Sequence, residues 1–422
     1  MYKSYTNVNV DIMNIITEKM VFGGKSLGKI DGKNVFVPYS IPGEKIEIEI
    51  TEQNKDYENA EIVKIVEPSP HRVEHACRYY GKCGGCNLMH IDGEYQKELR
   101  LNILNDIFRQ NGIDISGKTE IISGPDTGYR ARFQLNNGGL SQRKSNIVIP
   151  VEECLCAEKA VNEYLKSTTQ NQRPAGRCHV FGSEFSVSQE GASGASAPVK
   201  IAQEAKADNN IRLSGGGQKN KKLKLKENHY FSGTVASPEN TVNVSFGGHN
   251  LAFDVRGFFQ SNLFVFEKVC RLINSLLPGG KNILDMYSGC GSISTFLTEK
   301  YENVVLVEHN RDALVYAEQN LAGKKHVSYG LSGASFVKTC AAAQPPFDAC
   351  TIDPPRSGME KEVRQWIAST NIPLVLSLSC DPATHARDCA ALISAGYTLT
   401  QMYLLDFYPN TSHIESLAVL TK

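Results

Sequence analysis

The sequence predicts an α/β protein: a doubly wound parallel sheet in the C-terminal part, preceded by a small antiparallel barrel and a mixed α+β segment. Three observations carry that expectation. β-Branched runs alternate with helical stretches from residue 264 onward, short alternating strands broken by Gly and Pro fill residues 15–68, and composition changes abruptly between 166 and 229. At 422 residues the chain is too long for one hydrophobic core. The expected domains are 1–68, then 69–256 with a flexible excursion near 166–229, then 257–422.

In the N-terminal segment Val35-Phe36-Val37, Lys45-Ile46-Glu47-Ile48-Glu49-Ile50 and Ala60-Glu61-Ile62-Val63-Lys64-Ile65 form short β-branched runs, the second of them strictly alternating. That period sends one face of each strand into a core and the other to water, and an OB-type barrel is the compact solution. Such barrels hold RNA or merely support their neighbours, and pattern alone weighs the two equally. A cysteine-rich loop follows between His71 and His90, then a helix over 95–110 and strands near 132–135 and 147–150. Ser, Gly, Ala, Gln and Lys dominate 166–229, where Gly215-Gly216-Gly217 precedes Lys219, Lys221, Lys222, Lys224 and Lys226. A solvated loop is the commoner meaning of such a lysine run, and no site is assigned to it.

Lys+Arg and Asp+Glu both number 45, so an anionic partner must be held by local patches rather than by the field of the whole molecule. No apolar run approaches the roughly 20 residues of a membrane helix, and residues 1–20 lack the apolar stretch of a signal peptide. A cytoplasmic protein with no membrane contact is expected. Twelve cysteines in a reducing compartment suggest metal where they cluster, and packing or catalysis where they scatter.

The C-terminal part reads as a helix over 263–277 and strands at 282–286, 304–307, 349–352 and 373–379, separated by helical stretches. Ligands of such sheets bind beyond the carboxyl ends of the strands. The first strand runs into Asp285-Met286-Tyr287-Ser288-Gly289-Cys290-Gly291-Ser292, whose glycines let the backbone approach a ligand closely. Ser294 stands where a dinucleotide fingerprint wants Gly or Ala, so a nicotinamide cofactor is the poorer reading. The next strand ends in Glu308, placed to accept hydrogen bonds from ribose hydroxyls, and a third ends in Asp353-Pro354-Pro355-Arg356, where two prolines stiffen the exit. The strand Leu374-Val375-Leu376-Ser377-Leu378-Ser379 delivers Cys380 to the same edge, a setting that Cys270, Cys290, Cys340, Cys350 and Cys389 lack. A free cysteine is usually a small buried apolar residue. What lifts Cys380 above that is the tail Asp406-Phe407-Tyr408-Pro409-Asn410-Thr411-Ser412-His413-Ile414-Glu415, which supplies a carboxylate for proton abstraction.

Together these motifs resemble the RNA uracil-C5 methyltransferase family of bacterial ribosomal and transfer RNA enzymes, over nearly the whole chain. The likeness begins at Gly23-Gly24-Lys25-Ser26-Leu27-Gly28, continues through Gly128-Tyr129-Arg130-Ala131-Arg132-Phe133 and Phe258-Phe259-Gln260-Ser261-Asn262, and is most specific at Ser379-Cys380-Asp381-Pro382-Ala383-Thr384 and Thr411-Ser412-His413-Ile414-Glu415-Ser416. It implies a TRAM-like barrel, a central iron–sulfur domain and a Rossmann-like class I methyltransferase domain. It also implies S-adenosylmethionine as donor, Cys380 as nucleophile, Glu415 as base, and Gln260, Tyr287, Ser292, Glu308 and Asp353 as donor contacts. Thiolate addition at carbon 6 of uracil would turn carbon 5 into an enolate carbon able to take a methyl group, after which a base must remove the carbon 5 proton. Asp381 replaces the family's usual Asn, and 166–229 does not match closely. The expected partner is RNA, 23S rRNA ahead of tRNA, and the expected oligomeric state is a monomer. A methylase of an exocyclic amine would want an aromatic side chain where Arg356 stands, and a non-catalytic RNA-binding protein is the rival of another class.

Cys77, Cys83 and Cys86 follow a C-x5-C-x2-C spacing around Gly84-Gly85 that suits zinc or iron–sulfur, and His90 could complete a zinc site. The resemblance favours a [4Fe-4S] cluster whose fourth ligand is Cys154. Leu155 stands where the family has Pro, which keeps Cys156 as a second choice.

Overall fold

Side chains alternating between core and water fold the first strands of the computed structural model into a closed barrel. The structure describes residues 12–187, 200–203, 229–230 and 238–422. The chain forms two units, Met1–Asp106 with Tyr408–His413, and Ile107–Phe407 with Ile414–Lys422.

In the first unit β1 (Ile12–Val21), β2 (Lys25–Ile30), β3 (Lys33–Pro38), β4 (Lys45–Gln53) and β5 (Tyr57–Glu67) close in the order β1-β2-β3-β5-β4, with β4 returning to β1. Ile46 and Ile48 face inward and Glu47 and Glu49 outward, as the alternation predicts, and they pack with Ile15, Val35, Val37 and Ala60. The chain leaving the barrel is clamped by Glu44, a buried carboxylate that accepts from Arg72 Nε (2.5 Å) and Nη2 (2.8 Å) and from the amides of Ile41 (2.8 Å) and Ser69 (3.2 Å). Burial would raise its pKa, but these bonds hold it below the ordinary carboxylate value. The expected helix is α1 (Gly93–Gln110), whose entry is capped by Asp92 Oδ1 accepting from Tyr95 N at 2.9 Å.

The second unit runs β6 (Thr119–Ile122), β7 (Arg132–Asn136), the short rungs β8 (Leu140–Ser141) and β9 (Val148–Ile149), α2 (Lys159–Ser167), β10 (Arg177–Phe181), β11 (Lys200–Gln203) and β12 (His229–Tyr230). It continues with β13 (Thr241–Phe246), β14 (His249–Asp254), α3 (Leu263–Leu276), β15 (Gly280–Met286), α4 (Ser292–Leu297), β16 (Tyr301–Val307), α5 (Arg311–Asn320), β17 (His326–Tyr329) and α6 (Gly333–Thr339). It ends with β18 (Ala349–Ile352), α7 (Lys361–Ser369), β19 (Leu374–Ser379), α8 (Pro382–Ser394), β20 (Thr398–Leu405) and β21 (Glu415–Thr421).

Nine strands form one sheet in the order β12-β17-β16-β15-β18-β19-β21-β20-β6. Every pairing from β12 to β19 is parallel, and β21 runs antiparallel to both β19 and β20. Strand order reverses at β15, which lies between β16 and β18, and this is the switch point beyond which such sheets hold ligands. All residues of β18 and β19 are buried, which is why these strands read as continuous apolar runs.

The excursion expected over 166–229 is corrected in part. β10 pairs antiparallel with both β7 and β11, and Cys178, Val180 and Phe181 are buried. Composition averaged over a long window hides so short a strand. Gly215-Gly216-Gly217 and the lysine run fall outside the described residues. No helix among the described residues is long and apolar enough to cross a membrane.

Ile48, fully buried in the barrel, gives a direct test of that core. Ile48→Ala is expected to cost about 2–5 kcal/mol in urea unfolding, through lost transfer energy and the cavity left behind; a cost below about 1 kcal/mol would mean that Ile48 does not hold the barrel together.

Candidate active site

The turn after β15 is unusually bent: Tyr287, Gly289 and Gly291 all have positive φ (65°, 57° and 74°). Gly291 is required by packing, since a Cβ there would lie 2.9 Å from Leu321 Cδ1 and 3.1 Å from Ala317 Cβ on the α5 side. Gly289 has nothing within 4 Å of its would-be Cβ, so the open approach expected of the turn exists there. Glu308, at the end of β16, ties the turn down: Oε2 accepts from Gly289 N at 3.0 Å and Oε1 from Asn310 N at 2.6 Å. His309 Nδ1 lies 3.1 Å from Oε1, while Oε2 keeps a lone pair for a further donor. Tyr287 Oη accepts from Glu360 N at 3.3 Å, and Ser292 opens α4 beside the buried Cys290 thiol. Gln260 Oε1 and Ser288 Oγ are buried with no protein partner, as expected of groups that meet a ligand or water.

Asp285 is the residue for which sequence reading assigned no role. It is 1% exposed, accepts from Thr351 Oγ1 at 2.8 Å and from Ser294 Oγ, and is pushed up to about 6 by burial. These bonds lock β15 to β18 and to α4, beneath the turn. Ser294, the departure from a dinucleotide fingerprint, is therefore a donor to a buried carboxylate. A polar residue in place of the small apolar one was the available signal.

At the neighbouring edge β19 ends on Cys380, which is half-buried. The next residue, Asp381, caps α8: its Oδ1 accepts from Ala383 N (3.1 Å) and Thr384 N (2.9 Å), and Pro382 opens the helix. An Asn would accept the same two bonds, which explains why Asp is tolerated here. β21 lies antiparallel beside β19 with Ser379 opposite Ser416. One further step of that register sets Cys380 opposite Glu415. Asp353 follows β18, the other neighbour of β19.

These acids share one electrostatic environment. Burial pushes the Cys380 thiol up to about 11, with Glu415 and Asp353 adding to the rise and Arg356 opposing it. Glu415 is pushed up to about 8 by burial and Asp353, again against Arg356, and Asp353 to about 7 by burial and Asp285. Arg356 is exposed, and its carbonyl accepts from Thr384 Oγ1 at 3.1 Å. Cys270, Cys350 and Cys389 are buried and Cys340 half-buried, and Cys290 is buried in the turn after β15, whereas His413 belongs to the first-unit loop Tyr408–His413.

Among the described residues no three His, Cys, Asp or Glu side chains are gathered so as to hold a metal. Cys77, Cys83 and Cys86 are half-buried in turns, with Cys83 Sγ accepting from Gly85 N at 3.4 Å. The Cys154 thiol is hydrogen-bonded to Cys156, which pushes its pKa well up, and His90 Nδ1 meets Tyr80 Oη at 2.6 Å.

Residues 13–63 match the TRAM domain, and residues 338–422 match the family described as tRNA (Uracil-5-)-methyltransferase. An uncharacterized RNA methyltransferase of Treponema denticola is 34% identical, over 96% of this chain and 98% of its own. The 23S rRNA (uracil(1939)-C(5))-methyltransferase RlmD of Shewanella amazonensis is 30% identical, over 94% of this chain and 92% of its own. The solved structure of the Pyrococcus abyssi tRNA (uracil-54, C5)-methyltransferase with S-adenosyl-L-homocysteine has the same fold, with a TM-score of 0.69 at 21% identity over 97% of this chain and 100% of that one. A doubly wound sheet with a glycine turn at its switch point, joined to a small barrel, is the frame of a nucleoside-binding transferase. With these relatives, the chain belongs to the RNA uracil-C5 methyltransferase family.

Proposed function

We propose that this protein transfers a methyl group from S-adenosylmethionine to carbon 5 of a uridine in 23S rRNA, through a bond between Cys380 and carbon 6 that Glu415 resolves. The register that pairs Ser379 with Ser416 carries the reading, because it sets thiol and carboxylate side by side on adjacent strands. Ribosomal RNA is favoured by the Shewanella relative; a tRNA substrate, the kind named for the Pyrococcus enzyme, is the second reading.

The donor supplies an electrophilic methyl on a cationic sulfur. Gln260, Tyr287, Ser292, Glu308 and Asp353 are the groups that hold it, Gln260 through an Oε1 that has no other partner. The target uridine must leave its stack so that the ring face reaches Cys380. The Cys380 thiolate adds to carbon 6, the carbon 5–carbon 6 π bond opens, and its electrons spread to the carbon 4 oxygen. Carbon 5 then takes the methyl as the donor's carbon–sulfur bond breaks. The Glu415 carboxylate removes the carbon 5 proton, the double bond re-forms, and the thiolate leaves.

At neutral pH a thiol near 11 and a carboxyl near 8 are mostly protonated and a carboxyl near 7 is about half so, and a positive charge brought into the site favours the ionised thiolate and carboxylates that the chemistry uses. A sulfonium supplies that charge and the neutral sulfur of S-adenosylhomocysteine does not. As pH rises from 6.5 to 9 the carboxylates lose their protons, and attraction for a cation grows. The ratio of S-adenosylmethionine to S-adenosylhomocysteine affinity in calorimetry is therefore expected to rise across that range, and a flat ratio would count against the assignment.

Cys380→Ala is expected to give neither methylated RNA nor an adduct on denaturing gels, whereas Glu415→Gln should methylate once and stay bound. An amine methylase would survive the first change, and failure of the second to trap RNA would remove Glu415 from the base role. A [4Fe-4S] cluster on Cys77, Cys83, Cys86 and Cys154 rests on spacing and resemblance and enters none of these steps. Protein purified without oxygen is expected to carry iron and acid-labile sulfide on these thiols; zinc without sulfide would overturn that assignment.

A further inference from the structure

Within the first unit the loop Tyr408–His413 is held by a set of hydrogen bonds that the chemistry above does not use. The amides of Asn87 and Leu88 both donate to the Asn410 carbonyl, at 3.1 and 3.0 Å. The Asn87 side chain grips the next turn of the loop: Nδ2 donates to Ser412 Oγ at 3.0 Å and Oδ1 accepts from Ser412 N at 2.9 Å. The same Nδ2 lies 3.1 Å from the Gly23 carbonyl in the β1–β2 turn. Gln96 of α1 holds Asn410 from the other side, with Oε1 accepting from its amide at 2.9 Å and Nε2 donating to its Oδ1 at 3.2 Å.

The backbone is shaped for these contacts. Asn410 has a φ of 67°, a conformation that Asn tolerates better than most residues. Gly24 has a φ of 76°, and a Cβ there would lie 2.6 Å from Asn87 Nδ2 and 2.8 Å from Ser412 Cβ. Two of the most specific strings in the sequence, Gly23-Gly24 and Thr411-Ser412, thus meet at Asn87, one residue after Cys86.

The chain returns from this loop through Ile414 directly to Glu415, the first residue of β21. Ladder bonds of β21 therefore begin at Glu415 and offer no support on its N-terminal side. Cys380 is secured differently, by β19 before it and by the Asp381 cap after it.

We propose that Asn87 and Gln96 are positioning residues for Glu415: by holding the loop Tyr408–His413 they set where the chain re-enters β21. The proposal rests on the reading of Glu415 as the base. It predicts an asymmetry, because loosening the loop disturbs the carboxylate while leaving the thiol in place. Proton abstraction falls steeply when donor and acceptor are misplaced by about 1 Å.

In single-turnover assays with RNA and S-adenosylmethionine, Asn87→Ala and Gln96→Ala are expected to form the Cys380–RNA adduct within about twofold of the native rate. Resolution of the adduct should slow roughly tenfold to a hundredfold, so that bound RNA accumulates. Gln96→Glu keeps the acceptor for Asn410 N but sets a carboxylate oxygen against Asn410 Oδ1 and the Ile91 carbonyl, so it should slow resolution at least as much as Gln96→Ala, a readout that holds even if Asn87→Ala does not fold. Formation and resolution falling together, or neither changing, would overturn the proposal. Glu415→Gln in the same assay separates the two levels: no accumulation there means that the base assignment has failed. Accumulation there but not in the Asn87 and Gln96 variants means that the positioning inference alone has failed.

Discussion

The insertion of β21 antiparallel between β19 and β20 is the constraint on which the candidate site depends. In a purely parallel sheet every strand would present its carboxyl end at the ligand-binding edge, and only residues at strand ends could meet there. Reversing one strand brings a residue from the beginning of a strand to that edge. Glu415, the first residue of β21, is therefore set beside Cys380, which follows the last residue of β19. Because side chains alternate with a period of two, a slip of one residue in this pairing would turn the carboxylate to the opposite face of the sheet.

Around that pairing, polar groups are buried with local partners. Asp285 joins β15, β18 and α4 through two hydroxyls, Glu308 fastens the glycine turn through two amides, and Asp381 caps α8. Satisfying buried oxygens in this way keeps their desolvation cost from being lost to strain or motion. The acids at the edge itself differ: burial and mutual repulsion keep Cys380, Glu415 and Asp353 above their ordinary values, with Arg356 opposing the rise of the first two. Such a site is set up for an incoming positive charge rather than for an anion.

Several features could be read from the sequence because they arise locally. Alternation in the run 45–50 identifies the barrel, since a strand with one face in a core must show that period. The strands at 282–286, 304–307, 349–352 and 373–379 stand out as apolar runs because both of their faces are covered. The residues at their ends, from Tyr287 to Cys380, follow from where such sheets bind ligands. The strands β10, β20 and β21 did not announce themselves. β10 lies within a segment of misleading composition, and β21 follows a polar tail whose loop is held by Asn87 and Gln96, residues more than three hundred positions earlier in the chain.

The sequence by itself determined the barrel, the parallel core of the sheet and the residues offered at its edge, because hydrophobic period and turn chemistry act over a few neighbours. Only the tertiary structure decided that Ser416, next to Glu415, pairs with Ser379, next to Cys380, that Ser294 serves Asp285, and that Cys154 is hydrogen-bonded to Cys156. Each of these is a contact between residues whose meeting depends on strand order, register or the path of a loop, and no local preference encodes it.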